Sequence, residues 1–155
     1  MRIFGKSRSL LLMALIWLVL GFGKVALASD IILNDLGGQA VNLSSNTGKP
    51  AILFFWTTWC PYCREEIKAL NQVYPQMKEE GIIVFAINIG ESGYKVKRFF
   101  KDYALNFRVL LDKDKKAADN YDLLGVPTYV FLDNNGRVLL RANSLPADYK
   151  NLLFK

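Results

Sequence analysis

The chain has 155 residues, 52% of them apolar and 22% charged. That is enough apolar content for one folded domain and too little charge for a disordered chain. The formal net charge is +6 and histidine is absent, which excludes Cys–His nucleophilic catalysis and the commonest metal and haem ligand.

The opening residues read as a targeting segment. Arg2, Lys6 and Arg8 precede an apolar run of about 13 residues, Leu10 to Phe22, and Ala26-Leu27-Ala28 then offers small residues where a signal peptidase cuts. The run is short of the ~18 residues expected of a spanning helix. Residues 1–28 are therefore expected to be a secretory signal, with an uncleaved membrane anchor, favoured by Lys24, as the alternative. The folded domain is expected over residues 29–155. Four of the 20 basic residues and none of the 14 acids lie before residue 29, so the remainder carries a net of only +2. Lys95, Lys97, Arg98 and Lys101, and the group Lys113, Lys115 and Lys116, read as solvated helix faces rather than a nucleic-acid surface.

Two short strands come first, Asp30–Asn34 and Ala40–Leu43, around the turn Asp35-Leu36-Gly37-Gly38. Pro50–Trp56 is a continuous apolar run, the mark of a central strand buried on both faces. From Pro61, a good first helical residue, Ile67, Leu70, Tyr74 and Met77 recur at helical spacing until Gly81. Pro75 removes the helical bond to the Asn71 carbonyl and predicts a kink. Ile82–Ile89 reads as a second apolar strand, and Val96, Phe99, Phe100 and Tyr103 as a second helix. A strand at Arg108–Leu111 and a short helix at Asp114–Tyr121 follow. Thr128–Asp133 and Arg137–Ala142 form a hairpin about Asn134-Asn135-Gly136, and Pro146–Phe154 a closing helix. The pattern predicts an α/β domain, a mixed central sheet flanked by helices on both faces.

The only two cysteines, Cys60 and Cys63, stand between the central strand and the first helix. Amides and the positive end of the helix dipole favour a thiolate there. A structural staple usually closes a long loop, whereas a ring spanning two residues constrains almost nothing in the unfolded chain. The pair therefore reads as a reactive dithiol at the carboxyl end of a central strand, where open α/β sheets place their sites. Two thiols alone cannot make a tetrahedral zinc site, and no metal site and no cofactor beyond the cysteine pair are expected.

Trp59-Cys60-Pro61-Tyr62-Cys63 after an apolar strand, with Gly125-Val126-Pro127-Thr128 later, resembles the thioredoxin superfamily. More narrowly, the chain resembles its TlpA/ResA/CcmG-like branch of exported thiol–disulfide oxidoreductases. The signal segment, the N-terminal hairpin, the inserted helix and strand between Ile89 and Asp112, and Glu66 three positions after Cys63 carry that likeness. The resemblance implies a thioredoxin fold with Cys60 as nucleophile and Cys63 as resolving thiol. It implies a cis Pro127 against the dithiol, and a Val126 backbone that pairs with an extended substrate segment. Glu66 becomes a proton acceptor for the second thiol, and Trp59 and the exposed Tyr62 flank the site. The position six residues before Cys60, Asp or Asn in many relatives, is Phe54 here. Pro61-Tyr62 is the dipeptide familiar from glutaredoxins.

The expected function is an exported, monomeric reductase acting on protein thiols and disulfides, for example keeping apocytochrome c cysteines reduced with electrons from a membrane thiol donor. A disulfide-forming oxidase or isomerase, and a Cu(I)-binding module using the same two thiols, are the alternatives. A peroxidase fits less well, because its Thr-x-x-Cys with partner Arg is only half present, as Thr57.

Overall fold

The computed structural model describes residues 31–46 and 48–154, so the expected signal at residues 1–28 lies outside what it describes. β1 (Ile32–Asp35) and β2 (Ala40–Asn42) form the expected hairpin. Its turn is held by Asp35, whose Oδ1 accepts the amides of Gly37 and Gln39 at 2.9 and 2.8 Å. Leu43 does not end β2 but opens a short 3₁₀ turn, Leu43–Asn46. Then come β3 (Ala51–Trp56), α1 (Pro61–Glu79), β4 (Ile83–Ile89), α2 (Gly93–Phe99) and β5 (Arg108–Asp112). α3 (Lys116–Asn120), β6 (Thr128–Leu132), β7 (Val138–Ala142) and α4 (Tyr149–Leu153) complete the order.

The seven strands make one mixed sheet in the order β2-β1-β5-β4-β3-β6-β7. β3, β4 and β5 run parallel, and the remaining pairs are antiparallel. All six residues of β3 are buried. Alternation explains it, since successive side chains serve opposite faces. Ile52, Phe54 and Trp56 pack against Ile67, Leu70 and Met77 of α1 and Tyr149 and Leu153 of α4. Leu53 and Phe55 pack against Leu33, Val41, Ala117 and Tyr121 on the other face. This is a thioredoxin-like fold, with the hairpin β1–β2 added at one edge.

α1 runs unbroken through Pro75. The Asn71 carbonyl that Pro75 leaves without its helical donor accepts Asn106 Nδ2 at 3.3 Å, while Asn71 Oδ1 takes the Asn106 amide at 2.9 Å. The loop before β5 thus satisfies the group that the proline orphans. α1 ends at Gly81, φ +76°, in a Schellman arrangement: the Ile82 amide donates to Met77 O and the Gly81 amide to Lys78 O. The second helix is shorter than its periodicity predicts. It ends at Phe99, and the rings of Phe99 and Phe100 pack at a tilt against Trp56 with centroids 5.3 and 5.2 Å away. The Phe100 amide still donates to Val96 O as the C-cap, and Tyr103 falls beyond the helix with its ring stacked on Phe99. The closing helix likewise begins at Tyr149 rather than Pro146, after a turn in which the Tyr149 amide donates to Pro146 O. Among the described residues no helix is long and apolar enough to cross a membrane.

Candidate active site

β3 ends at Trp56, and three residues carry the chain to Cys60, the N-cap of α1. Cys60 has extended backbone angles, φ −81° and ψ 113°, and its Sγ accepts the Cys63 amide at 3.2 Å. Pro61 occupies the first helical position, where no donor is needed. The Cys60 sulfur thus takes the place of a side-chain oxygen cap, facing otherwise unpaired amides and the positive end of a 19-residue helix. Cys60 and Cys63 are joined as a disulfide, with Cα atoms 5.3 Å apart. Cys60 is 3% exposed and Cys63 is fully buried.

Val126 and Pro127 come to this pair from the loop before β6. The Val126–Pro127 peptide is cis, as the resemblance implies, and the Val126 carbonyl oxygen lies 3.8 Å from Cys60 Sγ. The neighbours of Cys60 point outward: Trp59 is 64% exposed and Tyr62 76%. The mouth of the site is therefore an apolar, aromatic surface around an almost covered sulfur.

Glu66 stands one turn beyond Cys63 and is half-buried. Its Oε2 accepts the Tyr129 hydroxyl at 2.9 Å and the Leu145 amide at 3.3 Å. Burial above all, then the Glu66 charge and hydrogen bond, push the Tyr129 phenol far above its usual range. The Tyr129 ring rests on Phe54, centroids 4.6 Å apart, so aromatic packing fills the strand position where many relatives carry a polar side chain.

A second carboxylate was not singled out by sequence reasoning. Gly90, at φ +70°, turns the chain sharply after β4, and Glu91 comes to lie buried against the loop before Cys60. Glu91 Oε2 accepts the Thr58 amide at 2.7 Å and Asn88 Nδ2 at 2.8 Å. Oε1 accepts the Thr58 hydroxyl at 2.7 Å, and Lys95 Nζ lies 2.6 Å from it. Burial works to raise this carboxyl, but the bonds from Lys95, Asn88 and Thr58 together outweigh it and hold it below its ordinary value. The available signal was an acid at the carboxyl end of the strand beside β3, level with the dithiol. Among the described residues no group of three or more Cys, Asp or Glu could hold a metal ion.

A thioredoxin-like sheet with a Cys-x-x-Cys disulfide capping the helix after its central strand defines the chain as a thiol–disulfide oxidoreductase. The chain belongs to the AhpC/TSA family, whose model matches residues 26–141. It is 35% identical to the thiol-disulfide oxidoreductase ResA of Bacillus subtilis over 131 residues, covering 81% of this chain and 73% of that protein. The ResA of Geobacillus kaustophilus is 35% identical over 111 residues, 72% of this chain and 64% of its own length. Among solved structures, one described as a thiol:disulfide interchange protein DsbE from Chlorobium tepidum superposes with a TM-score of 0.71 at 32% identity, covering 81% of this chain and 89% of that one. A secreted Mycobacterium tuberculosis disulfide oxidoreductase, homologous to Escherichia coli DsbE, gives 0.67 at 28% identity over 78% and 91% of the two chains.

Proposed function

We propose that the protein is an exported reductase of protein disulfides in which Cys60 attacks and Cys63 resolves. The observation that carries this reading is the Cys60 sulfur itself, capping α1 at 3.2 Å from the Cys63 amide and facing the Val126 carbonyl at 3.8 Å. In the reduced protein the Cys60 thiolate attacks one sulfur of a client disulfide. The client S–S bond breaks, a mixed disulfide forms, and the departing client thiolate takes a proton from solvent. Deprotonated Cys63 then attacks Cys60 Sγ. The Cys60–Cys63 disulfide closes, the second client thiolate leaves, and two electrons have passed to the client.

Glu66, one turn from Cys63 and held by Tyr129 and Leu145, is the carboxylate proposed to receive the Cys63 proton. An extended client segment pairs with the backbone of Val126 beside Pro127, and Trp59 and Tyr62 supply apolar contact. Export is supported by the signal-like residues 1–28 and by the secreted Mycobacterium relative. In that setting a membrane thiol carrier re-reduces the pair, and apocytochrome c thiols are a client class in keeping with the TlpA/ResA/CcmG-like resemblance.

The test is the equilibrium reduction potential of the Cys60–Cys63 pair. A reductase requires a value near that of thioredoxin, about −270 mV. A value near about −120 mV, as in a strong oxidant, would overturn the reductase direction in favour of disulfide formation.

A further inference from the structure

Thr58 lies two residues before Cys60, and charged side chains grip it from both sides. Its amide and its hydroxyl donate to the two oxygens of Glu91, each at 2.7 Å. Its carbonyl accepts Arg64 Nε at 3.2 Å and a second Arg64 nitrogen at 3.0 Å. Every polar group of Thr58 therefore ends on a charge, an anion from the loop after β4 and a cation from α1. Both jaws are themselves held. Asn88 and Lys95 complete the Glu91 carboxylate, and the Arg64 guanidinium sits 5.7 Å over the Phe99 ring.

Glu91 is 8% exposed. A carboxylate is costly to place there, and its bonds to Thr58, Asn88 and Lys95 go largely to offsetting that cost. What opposite charges aimed at one peptide contribute instead is a defined position. The peptide they fix is the last anchored point before the attacking sulfur, since Trp59 is exposed and Cys60 already belongs to the helix cap.

We propose that Glu91 and Arg64 are positioning residues for thiol–disulfide exchange, fixing the Thr58 peptide and thereby the place of the Cys60 sulfur between the first turn of α1 and the Val126 carbonyl. This inference rests on Cys60 being the attacking sulfur. Neither residue touches the reacting atoms. Both act on the geometry in which the thiolate meets a client disulfide, and small misplacements of a reacting group cost rate steeply.

The test is the second-order rate constant for insulin-disulfide reduction by the reduced full chain, at neutral pH and far below the thermal midpoint. Circular dichroism monitors the fold of each variant. E91A and R64A are each expected to slow exchange about tenfold while remaining folded. E91Q, which keeps an acceptor for the Thr58 amide, is expected within about threefold of the parent. Parent-like rates in folded E91A and R64A would overturn the proposal. So would equal losses in E91A and E91Q, which would put the effect in the buried charge rather than in the grip on Thr58. Should E91A fail to fold, R64A, altered at an exposed side chain, and T58V, which loses one hydroxyl, decide the matter. Slow exchange in both supports the clamp, and parent-like exchange in either overturns it. A failure of the underlying reading is seen separately, as alkylation of Cys63 ahead of Cys60 in the unmodified protein.

Discussion

Tyr129→Phe removes one oxygen and leaves the ring where it packs. That ring is fully buried, 4.6 Å from Phe54 and 6.2 Å from Phe131 by centroid, so the only space vacated is that of the hydroxyl oxygen. The lost interaction is the 2.9 Å bond to Glu66 Oε2. A hydrogen bond to a charged acceptor contributes about 1.5–3 kcal/mol. Glu66 keeps the Leu145 amide at 3.3 Å, and as a half-buried group it recruits water in place of the phenol. The expected net loss is therefore about 1 kcal/mol, or about 3–5 °C in thermal midpoint for a domain of this size.

The pH dependence gives a second reading of the same bond. Burial and the Glu66 charge raise the Tyr129 phenol above its ordinary value of 10.0. The unfolded chain then sheds the phenolic proton first, so this contribution to stability is complete below about pH 10 and shrinks as the pH rises further. Urea unfolding of the oxidised parent and of Tyr129→Phe at pH 7 and above pH 10 measures both effects. The gap between them should be about 1 kcal/mol at neutrality and narrow in alkali. Equal stability at pH 7, or a gap that widens with pH, would refute the role assigned to this bond.

Further outcomes are expected elsewhere in the molecule. Cys63→Ser leaves the mixed disulfide unresolved, so client proteins should accumulate as adducts through Cys60, seen on non-reducing gels and lost with dithiothreitol. Leu70, fully buried on α1 against β3, should cost about 2–5 kcal/mol when changed to Ala, measured by urea unfolding. Glu91, whose carboxyl is held below its ordinary value of 4.5, contributes stability that is complete above that value and lost as the pH falls through the lower folded one. The acid limb of the midpoint-against-pH curve should accordingly be shallower in E91Q.

The parts of this fold legible in the sequence are those whose causes are local. The apolar run of β3, the Asn134-Asn135-Gly136 hairpin and the helix stop at Gly81 each follow from a few adjacent residues, and each forms as expected. The two cysteines needed only the strand before them and the helix after them to be recognised as a capping pair. Helix limits were less legible where tertiary packing overrides periodicity. Val96, Phe99, Phe100 and Tyr103 have helical spacing, yet the helix ends at Phe99, and Tyr103 lies beyond it with its ring stacked on Phe99. The groups around the dithiol were least legible. Glu91 reaches Thr58 across 33 positions and Tyr129 reaches Glu66 across 63. Such pairs exist only once the sheet has brought the strand ends together. Arg64 lies just six positions from Thr58, but its bond depends on a turn whose course no single residue dictates.

The most direct test alkylates the reduced protein with limiting iodoacetamide across pH 5–9 and maps the label by peptide mass. Cys60 should be modified first, with an apparent pKa below the about 8.5 of a free thiol, while Cys63 stays protected. Cys60 reacting no faster than free cysteine at every pH, or Cys63 labelled ahead of it, would contradict the assignment of Cys60 as the attacking sulfur.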